Sequence, residues 1–388
     1  MKIGISTSMI QRGHSGVAQY VLALVRAFLD QAGHHEFVLF VLEEDLPLFA
    51  FAAGGMRLET VSERYRPAVR NVLWHQLHLP GLARRLELDV LHVPSYRRML
   101  WPRPCPLVAT IHDLAPFRIP AKYNLPRMLY GRHVVPRLAR RQDQIIAVSQ
   151  FTAADIGAFA GIPPGRLCVI HNGLDPERFH AGSRAEAREV VARAWGLQHP
   201  FFLYVARIEH PAKNHARLVA AFSRFKSETQ LPWQLVLCGS DWRGAEIVHR
   251  LIRQSPFAHD IHSLGFVPEE DLPPLYRAAD LFVYPSLFEG FGMPPIEAMA
   301  CGCPVLSSDR GALDEVLGGA AAILDPESVA DIQAHLTRLA GDPRAREELR
   351  AKGMARSAQF SWHRTAASTL RVYADAVAGR SRSWTPDP

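Results

Sequence analysis

Two glutamates, Glu289 and Glu297, lie in the segment Ser-Leu-Phe-Glu-Gly-Phe-Gly-Met-Pro-Pro-Ile-Glu-Ala-Met-Ala-Cys-Gly-Cys-Pro-Val, residues 286–305. An apolar run ends just before them near Pro285, and a helix start is expected at Pro294 or Pro295, where proline suits the first turn. Glu289 then sits in a loop at a strand tip and Glu297 in the first helical turn. Gly290 and Gly292 let backbone approach a ligand, and the backbone N–H groups of Phe291, Gly292 and Met293, at the helix start, suit one rich in oxygen. A carboxylate accepting from two hydroxyls makes charge-assisted bonds, so one glutamate can hold a ribose diol and the other the hydroxyls of a second sugar. The plainer alternative is a helix-dipole partner at Glu297 and a solvated Glu289.

A second cluster, Val205-Ala-Arg-Ile-Glu-His-Pro-Ala-Lys-Asn214, follows another buried run. Arg207 offers a planar fork and Lys213 a point charge, a pair suited to clamping a diphosphate. Gly13-His14-Ser15-Gly16 lies between the first strand and a helix, so amides near Gly16 suit a phosphate. Thr110-Ile-His-Asp-Leu114 closes another strand, with His112 and Asp113 at its tip; a lone histidine is more often structural, and Asp113 serves equally well as a cap. Asn172-Gly173 is a turn signal. Five scattered cysteines make no disulfide framework, and Cys301-x-Cys303 lacks a second pair at zinc spacing, so they read as core residues. His75-x2-His78 has no matching carboxylates, and no Asp-x-Asp pair is present to hold a diphosphate-bound metal.

Glu289-x7-Glu297 in its Gly/Pro setting resembles the signature of family-four retaining glycosyltransferases of the GT-B fold, and further matching pieces follow in order over nearly the whole chain. The resemblance implies a nucleotide-sugar donor (GDP- or UDP-linked), transfer to a hydroxyl of a glycan or lipid-linked glycan, retention at the anomeric carbon, and no metal or other cofactor. It implies that Arg207 and Lys213 contact the donor diphosphate, that Glu289 orients the sugar and that Glu297 holds the ribose. Here the Arg-to-Lys gap is one residue longer than the commonest form. By the same resemblance His112 contacts the transferred sugar, and the loop at Gly16 closes on the donor. Gly239 leaves room for the nucleotide, Val267 meets the base through its backbone, and Leu272 packs on it. A vague likeness to bacterial polysaccharide mannosyltransferases favours mannose slightly over glucose-type sugars.

These residues need strand tips to carry them. Ile3–Thr7, Phe37–Leu42, Val90–Val93, Leu107–Ile111 and Ile145–Val148 read as buried strands, alternating with helical stretches at Val17–Leu29 and Asn71–Leu86. The alternation weakens over 179–198, read as a linker region bearing a charged helix. It then resumes with strands at Phe201–Val205, Gln234–Cys238, His262–Leu264, Leu281–Tyr284, Pro304–Leu306 and Ala321–Leu324. Such alternation implies parallel sheets covered on both faces. The expected fold is α/β: two Rossmann-like doubly wound domains, 1–178 and 199–362, facing a cleft. A C-terminal helix at about 363–378 crosses back to the first, and a tail follows over 380–388.

The 388 residues favour two domains, and 48% apolar with 21% charged residues is ordinary globular composition. No apolar run reaches the ~18–20 residues of a membrane span, and Met1–Ile5 runs straight into a strand, so a cytoplasmic protein is expected. Residues 1–180 hold 21 Lys and Arg against 14 Asp and Glu, whereas the remainder holds 23 against 24. A basic N-terminal half suits an anionic partner, such as the inner face of a membrane or a lipid diphosphate, or is simply a solvated basic surface. Acceptor specificity is expected in loops 60–75 and 94–130, with Arg97, Arg98, Arg118 and Lys122. No aromatic–basic pattern supports a nucleic-acid partner. Two rivals stay open: a GT-B-fold epimerase or phosphorylase, and a non-catalytic sugar-nucleotide-binding protein.

Overall fold

The computed structural model describes residues 1–379 apart from 14, 32 and 120–123. His14, Lys122 and the expected tail 380–388 thus lie outside the described residues. Two compact units emerge: Met1–Gly173 joined by the chain from Ser361 onward, and Leu174–Phe360.

In the first unit the described residues form a seven-stranded sheet in the order β3-β2-β1-β4-β5-β6-β7. The strands are β1 Lys2–Ser6, β2 Glu36–Leu42, β3 Arg57–Val61, β4 Val90–Val93, β5 Leu107–Ile111, β6 Gln144–Ala147 and β7 Leu167–Val169. Every pairing between them is parallel. Strands of such a sheet are buried on both faces, which is why β2 reads Phe-Val-Leu-Phe-Val-Leu without polar alternation. Strands β3 and β7 escape the sequence reading. Arg57 and Glu59 make β3, an edge strand, look like loop, and β7 has only three residues.

The helix Trp362–Val377 packs in this first unit, with Tyr373 6.0 Å from Phe28 on helix α1, Gly16–Leu29. Its Tyr373 hydroxyl lies 2.7 Å from His92 Nδ1 on β4. His92 Nε2 meets Thr110 Oγ1 on β5 at 2.8 Å, and that hydroxyl meets Tyr20 on α1 at 3.2 Å. This buried chain satisfies every polar group it contains, and burial holds the His92 imidazole down at about 3, so the ring is neutral. The expected helix Asn71–Leu86 is two helices, α2 Ala68–Leu77 and α3 Leu79–Arg85, with Pro80 in the first turn of α3. Proline lacks the N–H that a continuous helix needs there.

The second unit carries a six-stranded parallel sheet ordered β10-β9-β8-β11-β12-β13. Its strands are β8 Phe201–Val205, β9 Gln234–Cys238, β10 Ile261–Gly265, β11 Leu281–Tyr284, β12 Val305–Ser307 and β13 Ala322–Ile323. Phe202, Phe222, Phe225 and Trp233 form its aromatic core. The stretch 179–198 is not a free linker. Its helix, Arg184–Trp195, belongs to this unit, and Arg184 and Arg188 both reach the Asp280 carboxylate that precedes β11.

Both sheets reverse strand order beside their first strand, at β1/β4 and at β8/β11. Open α/β sheets present ligand crevices at such a point, beyond the carboxyl ends of the strands.

The chain re-enters the first unit through a tight contact at Gly173. A Cβ there would lie 2.1 Å from the Trp362 nitrogen and 2.6 Å from the Ser361 carbonyl carbon, both backbone atoms that cannot swing aside. Gly173→Ala should therefore destabilise the first unit by about 1–3 kcal/mol, read as a lower denaturant midpoint. An unchanged midpoint would show that the start of the C-terminal helix shifts freely.

Candidate active site

The β8/β11 crevice holds a nearly buried ion pair. Lys213, on the loop after β8, donates its ammonium to Glu289 Oε1, on the loop after β11, with little of either side chain exposed. The same oxygen accepts from the Tyr284 hydroxyl at 2.9 Å and the Ser286 hydroxyl at 2.6 Å. Three donors thus fix Oε1, while Oε2 has no hydrogen-bond partner among the described residues. Burial alone would raise the Glu289 carboxyl, but Lys213 and the two hydroxyls outweigh it and hold it below the usual value.

Backbone contacts place this pair. The Tyr204 hydroxyl donates to the Lys213 carbonyl at 2.6 Å. The Leu287 N–H donates to Ala212 O at 3.0 Å, and the Asn214 amide donates to Pro285 O at 3.0 Å and Pro326 O at 2.6 Å. Behind Glu289 the loop after β12 closes in: Ala312 N–H donates to Glu289 O at 2.9 Å. A Cβ on Gly311, at φ +70, would lie 2.2 Å from that same carbonyl oxygen.

Arg207 lies on the same β8 loop, half-exposed. Its guanidinium stands 5.0 Å from the Trp242 ring centre and 3.6 Å from Glu209. The loop is held by backbone bonds from Ile208 to Ser240 at 3.0 Å and from Trp242 to Ile208 at 2.9 Å. Close backbone approach requires glycine at 239: a Cβ there would fall 2.0 Å from Ala206 O. Gly239 N–H donates to Gly265 O at 2.7 Å, linking β9 to the loop that carries the buried Val267. Leu272 opens the helix Leu272–Ala278 and remains partly exposed.

Glu297 sits in the helix Met293–Ala300, which starts behind Gly292 at φ +95. Of the N–H groups that a helix start leaves without an intrahelical partner, prolines 294 and 295 have none, so those of Gly292 and Met293 remain. Tyr276 donates its hydroxyl to Glu297 Oε2 at 2.9 Å. Burial pushes the Glu297 carboxyl up to about 7, against the downward pull of the Tyr276 hydroxyl and of Arg178. The two glutamates therefore differ in charge state: Glu289 is held ionised by its cation, and Glu297 is poised near neutrality. Phe291 packs edge-on against Phe360 at 5.7 Å. Arg207, Lys213, Glu289, Glu297, Gly239, Val267, Leu272, Phe291, Gly292 and Met293 thus all belong to the second unit, at or just beyond the carboxyl ends of its strands.

The remaining candidates lie on the first unit. Gly16 begins α1 with open space beside it, and Ser15 caps the helix by accepting from Ala18 N at 3.2 Å. His112 follows β5, with Tyr20 edge-on at 4.7 Å. Burial lowers its imidazole to about 4, against the Asp113 charge and a bond to the Pro94 carbonyl. With that carbonyl taking the N–H of the neutral ring, Nε2 is a bare acceptor, and it has no partner among the described residues. Asp113 is engaged locally, accepting from Ala115 N at 2.9 Å.

The expected acceptor-side arginines are not loose surface groups. Arg98 donates to Asn71 Oδ1 and Ser95, Arg97 donates to the Tyr96 hydroxyl at 2.8 Å, and Arg118 pairs with Asp155. Cys301 and Cys303 are buried, and no group of three or more His, Cys, Asp or Glu side chains that could hold a metal occurs among the described residues.

The sequence reading missed the residues that hold the charged ones. Tyr284 and Ser286 lay within reach of it, as polar residues at a strand end just before Glu289. Asn214, Tyr276 and Gly311 carry no local signal, because each acts on a distant segment, and Tyr204 reads as one more buried strand residue.

Residues 188–356 match the family model described as "Glycosyl transferases group 1", and residues 14–178 match the one described as "Glycosyltransferase Family 4". The chain is 34% identical over 268 residues to O-antigen chain mannosyltransferase B of Escherichia coli, covering 69% of each chain. Sucrose-phosphate synthase from Thermosynechococcus elongatus superposes with a TM-score of 0.79 at 20% identity, over 97% of this chain and 99% of that one. Anabaena HepE, solved with UDP and glucose, gives 0.76 at 19% identity, over 97% and 100%. The two doubly wound units are those of the GT-B fold. The chain belongs to the family-four, group 1 glycosyltransferases.

The Lys213–Glu289 pair makes a pH-dependent contribution. Glu289 titrates below its unfolded value, so its ionisation stabilises the fold above that value, and the gain is lost as pH falls through the folded one. In Lys213→Met burial dominates and the carboxyl rises instead. The variant should lose about 3 kcal/mol near neutral pH, and the deficit should shrink as pH falls from the variant's raised carboxyl value to the lowered one of the wild type. A deficit independent of pH would mean that the bond contributes nothing through charge.

Proposed function

We propose that this glycosyltransferase moves a hexose from a nucleotide-diphosphate sugar to a hydroxyl of a glycan or lipid-linked glycan in cell-surface polysaccharide synthesis. The observation carrying the proposal is the Lys213–Glu289 pair that joins the loops at the β8/β11 reversal, with Arg207 on the same loop as Lys213 and Glu297 on the helix that follows. Mannose is the favoured sugar, supported by the relative named as an O-antigen chain mannosyltransferase. The base is guanine or uracil.

In this reading Arg207 and Lys213 take the diphosphate. Glu297 accepts from the ribose hydroxyls. Val267 meets the base through its backbone, and Leu272 packs on it. Glu289 offers Oε2 to the sugar while Oε1 stays locked, and the N–H groups of Phe291, Gly292 and Met293 add bonds to sugar hydroxyls. His112 Nε2, on the first unit, is an acceptor suited to a sugar hydroxyl, and Asp113 holds the turn that carries it. Arg97 and Arg98 line the acceptor side.

The reaction proposed is retaining. The bond from the anomeric carbon to the β-phosphate oxygen breaks, the acceptor oxygen bonds to the same face, and the acceptor proton passes to the leaving phosphate. Negative charge grows on the diphosphate, and fixed cations already aimed at it lower the barrier without solvent reorganisation. Arg207 and Lys213 fill the place of a divalent ion, so the reaction is proposed to be independent of metal.

Incubation with GDP-mannose, UDP-glucose and related donors plus a mannosyl acceptor, followed by NMR of the new anomeric centre, tests this. An α-linked product from an α-linked donor, formed fully in excess chelator, is expected. An inverted product would overturn retention, and strict dependence on a divalent ion would overturn metal independence. Glu289→Ala should cut turnover about a hundredfold, close to 2.7 kcal/mol of barrier; wild-type turnover would remove Glu289 from the site.

Glu297 adds a pH signature. Its ionised form accepts both ribose hydroxyls, so affinity for the nucleoside diphosphate should rise as pH increases through about 7. Glu297→Gln should flatten that rise. Calorimetric titration at several pH values reads both, and an unchanged rise in the variant would assign the titration elsewhere.

A further inference from the structure

Helix α2 is turned inside out. Its polar residues Asn71 and His75 are fully buried beside Trp74. His75 Nε2 lies 2.9 Å from Ser6 Oγ and its Nδ1 2.7 Å from Asn71 O, while Asn71 donates to Tyr65 O at 3.1 Å and accepts from Arg98. The outer face carries Val69, Leu73 and Leu77 at four-residue steps, 74%, 50% and 70% exposed. A surface helix ordinarily shows the opposite arrangement, and a contiguous apolar row marks a surface that something covers. Trp101, also exposed, is tied to this helix by its backbone N–H, which donates to Gln76 Oε1 at 2.9 Å.

The charge around the row is predominantly positive. Residues 62–142 hold 15 Lys and Arg against 4 Asp and Glu, more excess charge than the +6 of the whole chain. Arg70 is exposed on α2, and Arg84 and Arg85 are exposed at the end of α3. Beside Leu77 lies an open hollow of about 510 Å³, walled in part by Ser62, Arg64, Tyr65, His78 and Arg85, with no acidic residue in its lining.

We propose that α2 seats Val69, Leu73 and Leu77 in the surface of a bilayer containing anionic lipid, with Arg64 and Arg85 meeting headgroup phosphates. Aliphatic side chains below a ring of arginines are the signature of an interfacial helix, in which apolar burial and attraction to anionic lipid add. A second copy of the chain is the less suitable cover. Pairing this face with itself about a two-fold axis would set arginines against arginines, whereas phosphates neutralise them. The proposal goes beyond the transfer reaction and does not depend on it.

Flotation of the full chain with vesicles tests it, read without any sugar donor so that the outcome is separate from that of the transferase reading. Vesicles of phosphatidylcholine with roughly a third phosphatidylglycerol should carry the protein to the top at low salt, and pure phosphatidylcholine should do so far less. Leu73→Ser with Leu77→Ser should weaken binding roughly tenfold or more; both positions are exposed, so the thermal midpoint and circular dichroism should be unchanged. Arg64→Glu with Arg85→Glu should abolish the preference for anionic vesicles. Equal flotation of the serine double variant and the wild type would overturn the proposal, as would no binding to anionic vesicles. A concentration-dependent dimer lost in the double variant would assign the row to self-association instead.

Discussion

The second unit's chemistry depends on one bond, from the Lys213 ammonium to a single oxygen of Glu289. It joins loops of two strands that neighbour each other only because the chain reverses its order between β8 and β11. A carboxylate placed there with no cation would meet a low-polarity surrounding and take up a proton. With the cation it stays charged, and Ser286 and Tyr284 complete the shell on the same oxygen. The arrangement is asymmetric: one oxygen is spent on holding position, and the other is left for recognition.

Much of the surrounding sequence serves that bond. Asn214 and Tyr204 hold the lysine loop through backbone carbonyls, and Gly311 is small because the Glu289 carbonyl lies against it. Glu297, on the helix that follows, has no ion-pair partner among the described residues and is held by a phenol instead. Two glutamates in one motif thereby acquire opposite tendencies. This follows from which element supplies their neighbours, the β8 loop for Glu289 and the helix Leu272–Ala278 for Glu297, not from the motif itself.

The architecture was legible because parallel strands buried on both faces print themselves as unbroken apolar runs; β2, β8 and β9 are of that kind. Where burial is one-sided or brief the signal fails, as in β3 with Arg57 and Glu59 and in three-residue β7. The charged members of the site were legible for a similar reason, since Arg, Lys and Glu beside glycines at strand ends are costly unless used. Their supports were not: Tyr276 lies 21 positions before Glu297 and Asn214 lies 71 positions before Pro285, and only the sheet order brings each pair together. The linker reading of 179–198 failed because a charged helix looks detached until Asp280 is seen to collect Arg184 and Arg188.

Helix α2 shows the limit of pattern reading from the other side. Its leucines and its tryptophan look alike in sequence, so periodicity assigns them all to a core. The structure separates them by hydrogen bonding: His75 and Asn71 have partners only inward, at Ser6, Tyr65 and Arg98, and satisfying them rotates Leu73 and Leu77 outward. Leaving such polar groups buried without partners costs more per group than leaving a leucine wet. The polar face therefore sets the rotation, and the exposed row is its consequence.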